Sequence, residues 1–253
     1  MSQLSPAELR HQAEETLANL PTLPLQDGHL AYGSMAKWID HTLLKPEATP
    51  QQIDALCAEA LRFEFASVCV NPLYTGQAAR CLKDSPVRVC AVVGFPLGAT
   101  PTRVKVNETR VCLELGATEI DMVLPVGLLR AGEYNAVLDD ILSVTAAAHS
   151  QNALVKVIFE NVLLDDLSKV VACLLCKEAG ADFVKTSTGF AAGGATLADV
   201  ELMRRVVGPQ MGVKAAGGVR SLAGAPAFLT AGASRLGSSS GVKIMQEFEL
   251  EGK

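Results

Sequence analysis

The sequence contains no uninterrupted apolar run approaching the roughly 18–20 residues that a bilayer-spanning helix requires, so no membrane span is expected. Nor is there an excess of basic charge. The 22 Lys and Arg stand against 27 Asp and Glu, and the net charge of −5 argues against nucleic acid or an anionic membrane surface as a partner. Histidines are few: of His11, His29, His41 and His149, only His41 falls in a strand-like segment. No group therefore offers the three nitrogen ligands of a catalytic zinc site, no metal is expected, and His41 is read as making structural hydrogen bonds. No cofactor-binding motif is present, and none is expected to be needed. The opening MSQLSPAELRHQAEETL lacks the basic start and apolar centre of a signal peptide, and a soluble cytoplasmic protein is expected.

Cysteine is present but not as a framework. Seven cysteines scattered over 253 residues are an odd count, which fits a reducing compartment better than disulfide staples. Cys173 and Cys176 have CxxC spacing, yet they sit in a helical-looking segment with no second pair, and they are read as core residues.

What is there is a repeating pattern. Residues 1–35 read as a helical extension and connector: Ser5-Pro6-Ala7-Glu8 supplies an N-cap, a proline at the first helical position and a capping-box glutamate. The stretch PTLPLQDGHLAYGS (21–34) then breaks the helical pattern. From residue 36 to 253, short apolar runs alternate with amphipathic helical stretches. The runs are WIDHTLL (38–44), FASVCV (65–70), VRVCAVVGF (87–95), TEIDMVLP (118–125), LVKVIFEN (154–161), ADFVKTS (181–187), GVKAAGG (212–218) and SRLGSSS (234–240). Thr49, Asp165 and Thr196 open intervening helices, and glycine closes them at CLELGAT, CKEAGAD and LTAGASR. Eight strands recurring at a βα period predict a (β/α)₈ barrel. An open doubly wound sheet would want a glycine-rich turn after the first strand, and IDHTLLKPEA has none.

Strand parity then assigns directions, because alternate residues of a barrel strand face the lumen. If Val155, Val157 and Phe159 pack on the helices, Lys156, Ile158 and Glu160 point inward. The same reasoning turns Lys185, Lys214, Asp121, Cys69 and Asn71 inward. Three ammonium groups thus converge on one lumen, with Asp121 and Glu160 as the expected carboxylates. A structural ion-pair layer would explain one such lysine. Three are harder to account for as stabilisation, since buried ion pairs roughly break even. Desolvation and neighbouring positive charge favour a neutral amine. A neutral lysine condenses with carbonyls to a Schiff base, so Lys185 is read as a reactive amine.

The last two loops suggest a phosphorylated substrate. KAAGGVR puts Gly217 and Gly218 after the seventh strand, with Arg220 and Ser221 expected to enter a helix, and RLGSSSG puts amides and hydroxyls after the eighth. Glycines let backbone amides close around an anion, and barrels commonly hold phosphate at these two loops.

IDHTLLKP, VCVNP, GFPLG, EIDMV, KVIFE, FVKTSTGF, VKAAGGVR and RLGSSSG, in order from about Trp38 to Val242, closely resemble the 2-deoxyribose-5-phosphate aldolase family. The resemblance implies a metal-free (β/α)₈ Schiff-base aldolase that reversibly splits 2-deoxy-D-ribose 5-phosphate into D-glyceraldehyde 3-phosphate and acetaldehyde. It implies Lys185 as the Schiff-base lysine, Lys214 as the partner that activates it and moves protons, and Asp121 as a further proton donor and acceptor. It also implies substrate contacts from Cys69, Lys156, Asp40 and Thr42, and a phosphate site at Gly189, Gly217, Gly218, Gly237, Ser238 and Ser239. The partners implied are small phosphosugars and aldehydes, and a homo-oligomer is expected. Two other readings stay open: a Schiff-base barrel for a different phosphosugar, and a non-catalytic phosphosugar-binding barrel.

Overall fold

Every strand-like run seeds a strand of one closed sheet. The computed structural model describes residues 5–22 and 32–251. Its parallel strands are β1 (Ile39–Leu43), β2 (Ser67–Val70), β3 (Arg88–Val93), β4 (Glu119–Val123), β5 (Leu154–Ile158), β6 (Phe183–Lys185), β7 (Gly212–Ala216) and β8 (Arg235–Ser238). They follow one another around the barrel in chain order, and β8 closes onto β1 through the pairs Ile39–Leu236, Asp40–Gly237 and His41–Ser238.

Four of the helices begin where a side-chain cap satisfies the first turn. In α1 (Pro6–Ala18) and α2 (Pro50–Phe63), the Ser5 and Thr49 hydroxyls accept from the third helical amide, and Glu8 and Gln52 answer in reciprocal capping boxes. The Asp165 carboxylate and the Thr196 hydroxyl accept from the third helical amide of α7 (Asp166–Glu178) and α8 (Leu197–Val207), without the reciprocal bond. The remaining helices are α3 (Thr75–Cys81), α4 (Thr102–Glu114), α5 (Val126–Arg130), α6 (Tyr134–His149), α9 (Ala225–Thr230) and α10 (Gly241–Glu251). Gly116, Gly180 and Gly232, which follow α4, α7 and α9, all have positive φ, as left-handed helix closure requires. Helix α1 buries Leu9 and Ala13 and packs on α7, while most of the connector falls outside the described residues.

The core lies between barrel and helices. Val68, Val70, Val89, Ala91, Ile120, Met122, Val155, Val157, Val184, Val213 and Leu236 all face this layer, and their strand neighbours therefore face the lumen. Cys173 and Cys176 are buried free thiols of α7, and burial raises both well above the ordinary thiol range. His41 bridges β1 to Glu59 of α2 at 2.6 Å, the structural hydrogen bond expected of it. Among the described residues no helix is long and apolar enough to cross a membrane.

Two expectations need correction. Strand β5 ends at Ile158 rather than continuing to Asn161, and Glu160 adopts left-handed backbone angles (φ 58°, ψ 62°). Strand parity ends where the pleat ends, so Glu160 is carried away from the lysines, and its Oε2 accepts from the Thr188 hydroxyl and amide. After β7, residues 218–224 form turns and α9 begins only at Ala225, so Arg220 and Ser221 do not enter a helix.

Candidate active site

Strand register builds the site. Lys185 of β6 and Lys214 of β7 are direct register partners, so their side chains rise next to each other inside the lumen. Both donate to one oxygen: Asp121 Oδ2 lies 2.7 Å from Lys185 Nζ and 2.8 Å from Lys214 Nζ. Asp121 Oδ1 accepts from Lys156 Nζ at 2.8 Å and from the Cys90 thiol at 3.0 Å. The carboxylate is therefore fully occupied by donors from β3, β5, β6 and β7. Burial alone would raise its pKa, but the ammoniums of Lys156, Lys185 and Lys214 override this and hold it well below the usual carboxylate range.

A second charged layer lies beneath, toward the N-terminal ends of the strands. Asp40 Oδ1 accepts from Arg235 Nη1 at 2.6 Å and from Ser67 Oγ at 2.7 Å, while Oδ2 lies 2.6 Å from Lys214 Nζ. Glu119 lies 2.5 Å from Lys156 Nζ and 3.2 Å from Arg235. Burial works against every charge here. Even so, Asp121 and Asp40 keep Lys214 above the ordinary lysine range, and Asp121, Cys90, Glu119 and Asp40 do the same for Lys156. Asp40 is likewise held well below the carboxylate range by Lys214, Lys156 and Arg235 against the effect of burial.

This corrects the expected charge balance. The lumen carboxylates are Asp121, Asp40 and Glu119, with Glu160 elsewhere, and Arg235 adds a fourth cation to the three lysines. Glu119, Cys90 and Arg235 were all within reach of the parity argument. Glu119 stands two residues before Asp121, Cys90 between outward-facing Val89 and Ala91, and Arg235 before outward-facing Leu236.

Each other candidate has a definite place. Cys69 is fully buried in the lumen, in register with Cys90, and its hydrogen bond with Cys90 lowers it from the ordinary thiol value. Lys156 and Asp40 are fully buried below the Lys185–Lys214 pair, which makes them supports of Asp121 and Lys214. Thr42 is half-buried toward the C-terminal end of β1, its hydroxyl donating to the Asp40 carbonyl. One Asp121 oxygen and the Cys69 and Cys90 sulfurs lie within 4.8 Å of one another. The Nζ atoms of Lys156, Lys185 and Lys214 already donate to that carboxylate, which leaves it poorly placed to ligate a metal cation as well.

The anion-binding candidates line the C-terminal mouth. Gly189, Gly217 and Gly218 have φ of 86°, 83° and 89°, angles that cost an L side chain about 1–2 kcal/mol. A Cβ on Gly217 would also come 3.0 Å from Gly194 Cα. Gly237 approaches so closely that a Cβ there would meet Lys214 Cε at 3.0 Å. The Ser238 hydroxyl is already engaged, donating to the Val219 carbonyl at 2.6 Å and accepting from the Ser240 amide at 2.9 Å, whereas Ser239 is exposed. Phe190, 49% exposed, packs edge-on against Phe95 across the rim of the mouth. A cavity of about 1020 Å³, lined by Phe183, Arg204 and Met211 among others, opens at the opposite end of the barrel and holds none of these groups.

Comparison with known proteins agrees with this geometry. The profile described as DeoC/LacD family aldolase matches residues 34–247. The deoxyribose-phosphate aldolase of Streptococcus suis (strain 98HAH33) is 57% identical over 216 residues, covering 85% of this chain and 97% of its own. That of Thermococcus gammatolerans is 56% identical over 214 residues, covering 84% and 95%. Among solved structures, the tetrameric deoxyribose phosphate aldolase from Aeropyrum pernix superposes with a TM-score of 0.82 at 34% identity, covering 97% of this chain and 99% of that one. With its lysine-lined lumen, its closed eight-stranded barrel and a family match across nearly the whole barrel, the chain belongs to the DeoC/LacD family of aldolases.

Proposed function

We propose that the site cleaves 2-deoxy-D-ribose 5-phosphate reversibly to D-glyceraldehyde 3-phosphate and acetaldehyde through an imine on Lys185. The observation that carries this reading is the sharing of one Asp121 oxygen by Lys185 and Lys214 in a buried lumen. Lys214 is anchored by Asp40 and Asp121 and retains its proton, so of the two paired amines Lys185 is the one free to act as nucleophile.

In this scheme the Lys185 amine adds to the C1 aldehyde of the open-chain sugar, and the carbinolamine loses water to give a protonated imine. The imine draws electrons from the C2–C3 bond as the C3 hydroxyl gives up its proton, Asp121 accepting it through one water molecule. Glyceraldehyde 3-phosphate departs and an enamine remains on Lys185. Protonation of its C2 carbon, with Lys214 supplying the proton, and hydrolysis of the resulting imine release acetaldehyde and restore the amine. The side chains supply all of this chemistry without a cofactor. Amides at Gly189, Gly217, Gly218, Gly237 and Ser239 are proposed to hold the phosphate, an assignment supported by three backbones that only glycine adopts without strain. Ser238 contributes to that loop through its structural hydrogen bonds. Cys69 and Thr42 are proposed to line the substrate pocket, with Lys156 and Asp40 acting from beneath. A cytoplasmic location and a homo-oligomeric assembly belong to the same proposal, the latter supported by the tetramer of the Aeropyrum pernix relative.

The test is to incubate the protein with acetaldehyde, reduce with borohydride and map the adduct by mass spectrometry. A stable adduct on Lys185 is expected. A folded protein that gives none would defeat the imine mechanism, and turnover only with a ketose donor would redirect the substrate assignment.

A further inference from the structure

The lumen has an unequal number of charges. From β1 to β8, the titratable side chains turned inward are Asp40, Cys69, Cys90, Glu119, Asp121, Lys156, Lys185, Lys214 and Arg235. Among the described residues that makes four cations against three carboxylates. Arg88 also approaches Glu119, at 3.8 Å, but its side chain is 52% exposed and water screens it.

The contacts are not shared equally. Lys156 reaches Asp40, Glu119 and Asp121; Lys214 reaches Asp40 and Asp121; and Arg235 reaches Asp40 and Glu119. Among the described residues, Lys185 has Asp121 alone. Each of the other cations is held by at least two carboxylates, so Lys185 is the one least tied to a counter-charge.

We infer that the Arg235–Glu119 pair on the lumen floor, which touches neither Lys185 nor the substrate mouth, sets the protonation of the reactive amine by fixing the charge count above it. Both are positioning residues. Arg235 supplies the surplus positive charge, and Glu119 limits that surplus to one. The Arg235 side chain is 12% exposed, lies 5.5 Å from the Phe183 ring centroid, and its Asp40 contact is short, so its guanidinium charge is fixed in place. This inference rests on the proposed imine chemistry of Lys185.

The sign follows directly. Removing Arg235 leaves three cations and three carboxylates, which favours the ammonium form of Lys185, so the acid limb of the kcat/KM profile moves to higher pH. Removing the Glu119 charge leaves four cations and two carboxylates and moves that limb to lower pH. One unit charge acting across a lumen of effective dielectric about 20 shifts it by on the order of one pH unit.

The experiment compares Arg235→Met, Glu119→Gln and Arg235→Lys with the wild type. It records kcat/KM against pH and, separately, the pH dependence of borohydride trapping with acetaldehyde. Opposite shifts for Arg235→Met and Glu119→Gln are expected, with Arg235→Lys at the wild-type position. A purely structural role would lower activity in all three without moving the limbs apart. Limbs that stay put, or that move the same way in both charge-removing variants, would overturn the inference. Should Arg235→Met not fold, Glu119→Gln decides, since a limb that stays or rises refutes the charge count. Loss of the Lys185 adduct in the wild type would instead remove the imine reading on which the inference rests.

Discussion

Replacing Asp121 with asparagine keeps the shape of the site and deletes one charge from its centre. The carboxylate binds Lys185, Lys214 and Lys156 at 2.7–2.8 Å and is wholly buried, so the variant leaves four cations facing two carboxylates. Breaking a buried ion pair by removing one partner costs about 3–5 kcal/mol. A second route gives the same magnitude. The stranded ammonium can escape by losing its proton, which at pH 7 costs a lysine about 1.4 kcal/mol for each of the roughly 3.4 pH units below its ordinary pKa, or about 4.8 kcal/mol. The two routes agree, and the second adds a signature. In the variant one further lysine is neutral when folded but protonated when unfolded, so the unfolded state binds an extra proton and the variant gains stability as pH rises. The deficit relative to wild type should therefore be about 4–5 kcal/mol at pH 7 and narrow by about 1.4 kcal/mol per pH unit toward pH 10. Urea denaturation of both proteins at pH 7, 8 and 9 measures this. A deficit of that size that does not change with pH would refute the reasoning, because it would mean lost packing or hydrogen bonding rather than stranded charge.

Other expectations follow from the same geometry. Lys185→Ala should abolish turnover while leaving the barrel folded, read by steady-state assay beside circular dichroism; residual imine trapping in it would point to another lysine. Lys214→Leu should reduce kcat severely and move the remaining rate to higher pH, since the ammonium beside Lys185 is gone; an unshifted profile would contradict the account of activation. The stability contributed by Asp40 and Asp121, whose pKa values are depressed, is fully present above about pH 4 and lost as pH falls below it. That contributed by Lys156 and Lys214, whose values are raised, is fully present below about pH 10.4 and lost as pH rises further. Asp40→Asn should therefore show a shallower loss of melting temperature on acidification than wild type, and equal slopes would count against it. Gly217→Ala, strained by its φ of 83° and its contact with Gly194, should raise KM for the phosphorylated sugar and leave imine formation with acetaldehyde nearly unchanged. A loss confined to kcat would argue against the loop's role in binding.

The charge network has a further consequence for how the fold tolerates its own site. Seven charged side chains inside a barrel are a poor source of net stability, and each depends on the others for compensation. The outward faces of the same strands are almost wholly Val, Ile, Leu, Met and Ala packed on the helices, and this layer carries the hydrophobic stabilisation. The lumen is thus free to be arranged for chemistry because the barrel does not depend on it for its core.

The amino-acid sequence by itself determined the architecture and the direction of most lumen side chains, and it singled out Lys185 as the lysine proposed to react. These follow from local rules: capping residues at Ser5, Thr49, Asp165 and Thr196, glycine closures after the helices, and a period-two pleat that separates Val184 from Lys185 and Val213 from Lys214. Tertiary structure decided the rest. Parity predicts that Glu160 faces inward, but a left-handed backbone at that residue sends its carboxylate to Thr188 instead. Parity also treats each strand separately, so it could not pair Asp40 with Arg235, residues 195 positions apart in the chain that meet only when β8 closes onto β1. Which carboxylate holds which cation depends on the stagger between strands around the closed barrel, a quantity no single strand encodes, and with it the protonation of the site.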